Sequence, residues 1–203
     1  GWPGASAQVA ITHREGQSLD DKAGIGALMG THEIYGRGQT TRLTRLWLDQ
    51  TLAAGRIALR VGRLNPGSDF QAVDCAFINL SFCGNQAGNG AGDYWTNAPM
   101  SQWGIAARWN VTSGMYLKAG AYQVNPRYQL HGARLALAPH GTQGTLTPLE
   151  LGWERTREDS RMTRVMLGGW YSSAPRRDVW SDAQGIASAV SGRDPALRTG
   201  AYG

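Results

Sequence analysis

Residues 56–63 read R-I-A-L-R-V-G-R, and the alternation in this stretch decides the fold. Successive side chains of an extended strand point to opposite faces. Ile57, Leu59 and Val61 therefore share one face, while Arg56, Ala58, Arg60 and Gly62 share the other. One side is greasy and the other cationic. The same split recurs in 102–111, 115–124, 149–155 and 163–171. Two architectures use such strands. A soluble sandwich turns the apolar side into a core and the polar side to bulk water. A membrane barrel turns the apolar side to lipid and the polar side to a water-filled lumen.

The connections separate these two readings. Eight candidate strands are legible, at 4–13, 23–30, 41–52, 56–63, 102–111, 115–124, 148–155 and 162–171. Ala53-Ala54-Gly55, Thr112-Ser113-Gly114 and 156–161 are short turns. Between them lie 64–101, 125–147 and everything after Ser172, long and rich in Gly, Asn, Pro and Asp. Short and long connections alternate, as the two ends of a transmembrane barrel require. Strands near ten residues also suit a tilted crossing of about 9–11 residues. Trp103, Trp109, Trp153 and Tyr171 fall on the apolar face near strand ends, where amphipathic rings sit at a membrane interface. Such rings also fill sandwich cores. Residues 181–190 read equally as a short helix or a loop.

Composition narrows the classes further. The 203 residues fit a single domain, 1–203, and no linker divides them. No apolar run approaches the ~18 residues of a membrane-spanning helix, and no basic start leads into an apolar stretch as in a signal peptide. The net charge is +5, and only Lys22 and Lys118 among the 20 basic residues are not arginine. Clustered basic charge with aromatics would suggest nucleic acid. Here the arginines are spread singly, so no nucleic-acid partner is expected. Spaced arginines suit a polar channel, where the planar guanidinium grips hydroxyl and carboxylate oxygens.

Searches for catalytic chemistry come back empty. Gly24–Gly30 misses the dinucleotide fingerprint by one residue, and Ser6 lacks the glycines of a nucleophile elbow. His13, His32, His131 and His140 show no i,i+4 pairing. No metal, no cofactor and no enzymatic activity are expected. Cys75 and Cys83 are the only cysteines. In an exported protein they would join as a disulfide, closing a ring worth roughly 2.5 kcal/mol in the chain-entropy model. Two reduced loop thiols are the other reading.

Residues 63–103 carry a more specific pattern. Gly62-Arg63 ends a strand, D-F follows at Asp69-Phe70, and F-I-N-L-S-F-C-G-N occupies 77–85. N-A-P-M-S-Q-W-G completes it at 97–104, with L-T-R-L-W-L-D-Q at 43–50 and L-G-G-W-Y-S at 167–172. Over about 41–173 the chain resembles the OprB-type carbohydrate-selective porins of Gram-negative outer membranes. The resemblance implies an all-β, antiparallel, up-and-down transmembrane β-barrel of sixteen strands, about eight of them present here. It implies passive diffusion of monosaccharides such as glucose, a cell outer membrane location, and small sugars and outer-membrane lipid as partners. A signal peptide and closing strands would lie outside this sequence. The oligomeric state stays open.

With that resemblance, alternation assigns a lumen face. Arg45, Trp47 and Asp49 come from one strand, with Arg56 and Arg60 beside them. Arg108, Tyr116, Lys118 and Tyr122 follow, then Glu150, Glu154, Arg164 and Trp170. An arginine turned to mid-bilayer lipid instead would cost about 2–4 kcal/mol. The segment 64–101 is a candidate constriction loop, with Asp69, Asp74, Asn79, Asn85, Asp93, Tyr94, Trp95 and Asn97 as its polar and aromatic groups. Each could equally satisfy loop backbone, as Asp and Asn often do. The alternatives are a secreted or soluble β-sheet carbohydrate-binding module and a β-rich hydrolase, which would need two convergent carboxylates.

Overall fold

The computed structural model describes residues 2–26, 39–72, 95–156, 162–193 and 195–198. Seven strands form one antiparallel sheet in strict chain order. They are β1 (Ala5–Arg14), β2 (Thr40–Leu52), β3 (Ile57–Leu64), β4 (Gln102–Asn110), β5 (Met115–Val124), β6 (Gly144–Thr156) and β7 (Met162–Ser172). The order is that of an up-and-down meander, with β1 and β7 as its edges. A small hairpin of β8 (Arg176–Asp182) and β9 (Pro195–Arg198) follows.

One expected strand is replaced. The extended stretch expected at 23–30 is not formed at 23–26, where the chain closes a short helix, α1 (Leu19–Ala23). Ser18 caps it by accepting from the Asp21 N–H, and Gly24 ends it in the left-handed conformation. Gly26 is left-handed as well. Ser before two aspartates and glycine after them are helix start and stop signals, and they outweigh the apolar Ile25. Positions 27–30 lie outside the described residues. Among the described residues the main sheet thus has seven strands. The 181–190 ambiguity resolves into the end of β8 and the short α3 (Ser188–Ser191).

The register aligns the apolar residues into a continuous band. Ile57 faces Trp109, Trp109 faces Leu117, Leu117 faces Leu151, and Leu151 faces Leu167. Val61 faces Ile105 in the same way. These side chains are not interleaved between two sheets. Val61 is 46%, Trp109 50% and Leu167 75% exposed. A sandwich would bury this face, so the soluble binding-module reading fails here. Trp109 and Trp153 mark the short-turn end of the band, and Trp103 and Tyr171 the long-loop end.

Packing instead concentrates on the opposite face. Leu64, Tyr122, Val124 and Leu146 point inward from the strands and meet Phe70, Trp95 and Ala174 from the connections. The long β3–β4 connection therefore folds back onto the inner side of the sheet.

Gly62 makes the close β2–β3 pairing possible. Its φ is +140°, and a Cβ there would overlap the Leu46 carbonyl oxygen and lie 2.7 Å from the Trp47 Cα. Gly169, by contrast, has no neighbour within 4 Å of its would-be Cβ. In a folded channel carrying this segment, Gly62→Ala is expected to lower stability by on the order of 2 kcal/mol or more, since alanine does not fit this backbone. Gly169→Ala is expected to be near neutral. Urea unfolding in detergent micelles measures both.

Candidate functional site

Strand alternation sets charged side chains opposite one another on the inner face. Asp49 faces Arg60, Lys118 faces Glu150, and Glu154 faces Arg164. Each register pair is also a contact. Arg60 Nη2 is 2.9 Å from Asp49 Oδ2, Lys118 Nζ is 3.1 Å from Glu150 Oε1, and Arg164 Nε is 3.0 Å from Glu154 Oε1. Arg108 and Lys118 are like charges placed directly opposite, which alone would be unfavourable. The Tyr116 ring relieves this, lying 3.9 Å beneath the Arg108 guanidinium and 5.0 Å from the Lys118 ammonium. Arg108 then finds its own carboxylate, donating to Glu154 Oε2 at 3.0 Å.

Tyr116 can lie flat because its cross-strand neighbour is Gly152. Any Cβ at Gly152 would occupy the tyrosine ring. From there Tyr116 donates to Glu150 Oε1 at 2.9 Å.

A turn enters this ladder from the β3–β4 connection. Pro66 starts a single helical turn, α2 (Pro66–Asp69), in the first-turn position that proline tolerates. Buried Asn65 anchors its base, donating to the Met100 carbonyl at 2.6 Å and accepting from Ser68 Oγ at 2.6 Å. Four strand side chains then hold the turn's far end. Arg60 Nη1 donates to Asp69 Oδ1 at 2.9 Å and Tyr122 to Asp69 Oδ2 at 2.9 Å. Lys118 donates to the Asp69 carbonyl at 2.9 Å. Glu150, only 1% exposed, accepts the Gln71 N–H at 2.5 Å. Gln71 has a φ of +49°, rare for a residue with a Cβ, and this contact secures that conformation. The Phe70 ring packs edge-on against Tyr122 at 6.1 Å.

Between the turn and the sheet lies an open cleft of about 200 Å³, lined by Asp49, Arg60, Asp69, Arg108 and Lys118 together with Ala58, Ser68, Phe70, Ala106 and Ala107. Trp47 carries the Arg60 guanidinium 4.6 Å above its ring. The arrangement offers fixed cations and carboxylates side by side in an open cleft.

The structure sorts the expected lumen residues. Trp47, Asp49, Arg60, Arg108, Lys118, Glu150, Glu154 and Arg164 meet as described. Arg45 sits on the same face and donates to Gln8 at 3.3 Å. Arg56 does not join them, because β3 begins one residue later and Arg56 is exposed in the tight turn. Tyr116 and Tyr122 are buried and hold other side chains rather than line the cleft. Trp170 packs edge-on to buried Trp95 at 5.4 Å, so both serve packing. Asn97 accepts from the Met100 N–H at 2.9 Å through its backbone. Asp74, Asn79, Asn85, Asp93, Tyr94 and the Cys75–Cys83 pair lie outside the described residues. Residues not anticipated include Ser68, Phe70, Gln71 and Gln8. For Phe70 a signal existed, since an aromatic next to Asp69 just after a proline turn has only the inner face to bury against.

A family model for the carbohydrate-selective porin OprB family matches residues 1–203. The chain is 36% identical over 208 residues to Porin B of Pseudomonas aeruginosa, covering 100% of this chain and 46% of that protein. It is 31% identical over 190 residues to the putative porin QuiX of Acinetobacter baylyi, covering 88% of this chain and 43% of that protein. The high-pH structure of Pseudomonas putida OprB superposes with a TM-score of 0.86 at 34% identity, over 96% of this chain and 47% of that one. The chain spans about half the length of the curated relatives it matches.

Asp69 supplies a pH dependence. Burial pushes its carboxyl above the ordinary carboxylate range, against the opposing pull of Arg60, the Tyr122 hydroxyl and Lys118. A raised folded-state value means that protonation favours the folded form. That contribution is present in acid and lost as pH rises through the folded value, so acid does not loosen the fold through this group. It removes the negative charge facing Arg60. In a channel carrying this segment, ion preference is expected to shift toward anions as pH falls, beginning above the ordinary carboxylate value of about 3.9. Asp69→Asn should show the low-pH preference already at neutral pH. Reversal potentials in salt gradients read both.

Proposed function

The chain belongs to the OprB family of carbohydrate-selective porins, and from that premise we propose that it forms part of the wall and the constriction of a passive sugar channel in the cell outer membrane. The observation that carries this reading is the turn Pro66–Asp69 held over the charged ladder by Arg60, Lys118, Tyr122 and Glu150. It narrows the inner space without filling it. The aqueous side of the sheet thereby gains a cleft whose polar groups are fixed in place.

Sugars suit such a cleft. Their hydroxyls exchange water for guanidinium, ammonium and carboxylate partners. Each contact is weak and replaceable, and conduction requires that the solute also leave. Monosaccharides such as glucose are the proposed class, passing without chemical change, so the protein acts as a channel rather than an enzyme. Arg60, Arg108 and Lys118 are the proposed hydroxyl-binding cations, with Asp49 and Asp69 as acceptors. The ladder is almost balanced, because Arg45, Arg60, Arg108, Lys118 and Arg164 stand against Asp49, Asp69, Glu150 and Glu154. A near-neutral lining suits an uncharged solute better than a strongly cationic one.

In planar bilayers, Arg60→Ala with Arg108→Ala in a channel carrying this segment is expected to weaken block of ion current by sugar and shift ion preference toward cations. Conductance should rise, because Asp69 loses its grip on the strand wall. Unchanged block and unchanged selectivity in the double variant would remove these residues from the sugar path.

A further inference from the structure

Arg63 lies on the apolar face of the sheet, sharing it with Ile57, Leu59 and Val61, yet it is 1% exposed. The cover comes from the β5–β6 connection, residues 125–143. Tyr128 stacks on the Arg63 guanidinium at 3.8 Å, and Arg63 donates to the Ala136 carbonyl at 2.6 Å. The connection continues across neighbouring strands. The Leu43 N–H donates to the Arg134 carbonyl, Trp103 Nε1 to the Leu137 carbonyl and Gln123 Nε2 to the Pro139 carbonyl. Arg63, Trp103 and Gln123 are outward positions by register. The segment is therefore a strap laid over the outside of β3 to β5 at the long-loop end, level with the girdle residue Trp103. Its start is tied to β2 by the inward-register Arg42, which donates to the Tyr128 and Gln129 carbonyls.

The strap's chemistry is uneven. Leu130, Leu135 and Leu137 are all more than half exposed on it. Arg127, His131, Arg134 and His140 are interspersed, and the sequence holds no acidic residue from 125 to 149. Neither Arg127 nor Arg134 has an acidic partner among the described residues, whereas the inner-face arginines Arg60, Arg108 and Arg164 all do. Exposed leucines beside unneutralised arginines, at the level of an aromatic girdle, match a membrane boundary where acyl chains meet headgroups.

We propose that this strap is a docking surface for phosphate-bearing lipid of the leaflet at the long-loop end, with Arg127 and Arg134 on the phosphates and the three leucines in the acyl region. The apolar anchor alone would suit any lipid. The excess positive charge selects anionic headgroups, and arginine's fork matches two phosphate oxygens. The surface is on the outside of the sheet, so it is separate from sugar passage.

The test uses the complete channel protein in micelles, supplied with equal amounts of a bisphosphorylated glucosamine lipid and phosphatidylcholine, with retained lipid read by native mass spectrometry. The wild type is expected to retain the phosphorylated lipid preferentially. Arg127→Ser with Arg134→Ser is expected to cut that preference by roughly fivefold for each arginine removed, leaving phosphatidylcholine retention unchanged. Arg127→Lys with Arg134→Lys should restore most of it, which a merely structural role would not. Equal retention of both lipids by the wild type would overturn the proposal, as would a preference that survives the serine double variant. Efficient self-crosslinking of Leu135→Cys in native membranes would also overturn it, by showing a second copy on this face.

Discussion

The two-residue period of an antiparallel strand forces each strand here to face two solvents at once, and the remaining features follow from that constraint. Ile57, Leu59 and Val61 can stay unpacked only because their side of the sheet faces lipid in a porin. Arg60 and Asp49 pair with each other on the opposite, water-facing side. Where a strand breaks the rule, another segment intervenes. Arg63 is a cation on the apolar side, and Tyr128 and the Ala136 carbonyl enclose it. Phe70 is a hydrophobe delivered to the polar side, and it is buried against Tyr122.

The inner face illustrates how charge works in a narrow polar space. Surface ion pairs contribute little to stability, commonly under about 1 kcal/mol, so the Asp49–Arg60 and Glu154–Arg164 pairs are not what holds the sheet together. Their effect is geometric. Each long side chain, tethered at its tip, becomes a fixed part of the wall instead of a mobile obstruction. The turn Pro66–Asp69 is different, because its contacts are multiple and partly buried. Asp69 receives hydrogen bonds from two strands, and the backbone on either side of Phe70 is gripped by Lys118 and Glu150. That grip sets the width of the cleft.

Much of this was legible in the residues. Alternation in 56–63 placed Ile57, Val61 and Arg60 on their proper sides, and alternating loop lengths identified the two ends of the sheet. Opposed pairs such as Lys118 and Glu150 needed only the correct register. Other features depend on contacts that periodicity does not encode. Arg56 belongs to the alternating pattern but falls in a turn, because the strand starts one residue later. Tyr116 and Tyr122 looked like sugar-facing rings, yet glycines opposite them at Gly152 and Gly104 let them lie down and become supports. Residues 23–30 carried apolar character, but a serine cap and a left-handed glycine decided the local structure. The role of 125–143 as an outer strap was invisible, since it is held through its own backbone carbonyls, which accept from Arg42, Arg63, Trp103 and Gln123 on four different strands.

The central claim is that neighbouring residues of β3 face water and lipid alternately, and thiol chemistry tests it most directly. Single cysteines at Ala58 and Leu59 would be placed in the complete channel with Cys75 and Cys83 changed to serine, then exposed in membranes to a charged, membrane-impermeant thiol reagent. The account predicts that Ala58→Cys is modified and that channel conductance falls as the adduct enters the cleft, while Leu59→Cys stays unmodified. Equal labelling at both positions, or labelling of Leu59→Cys alone, would contradict it.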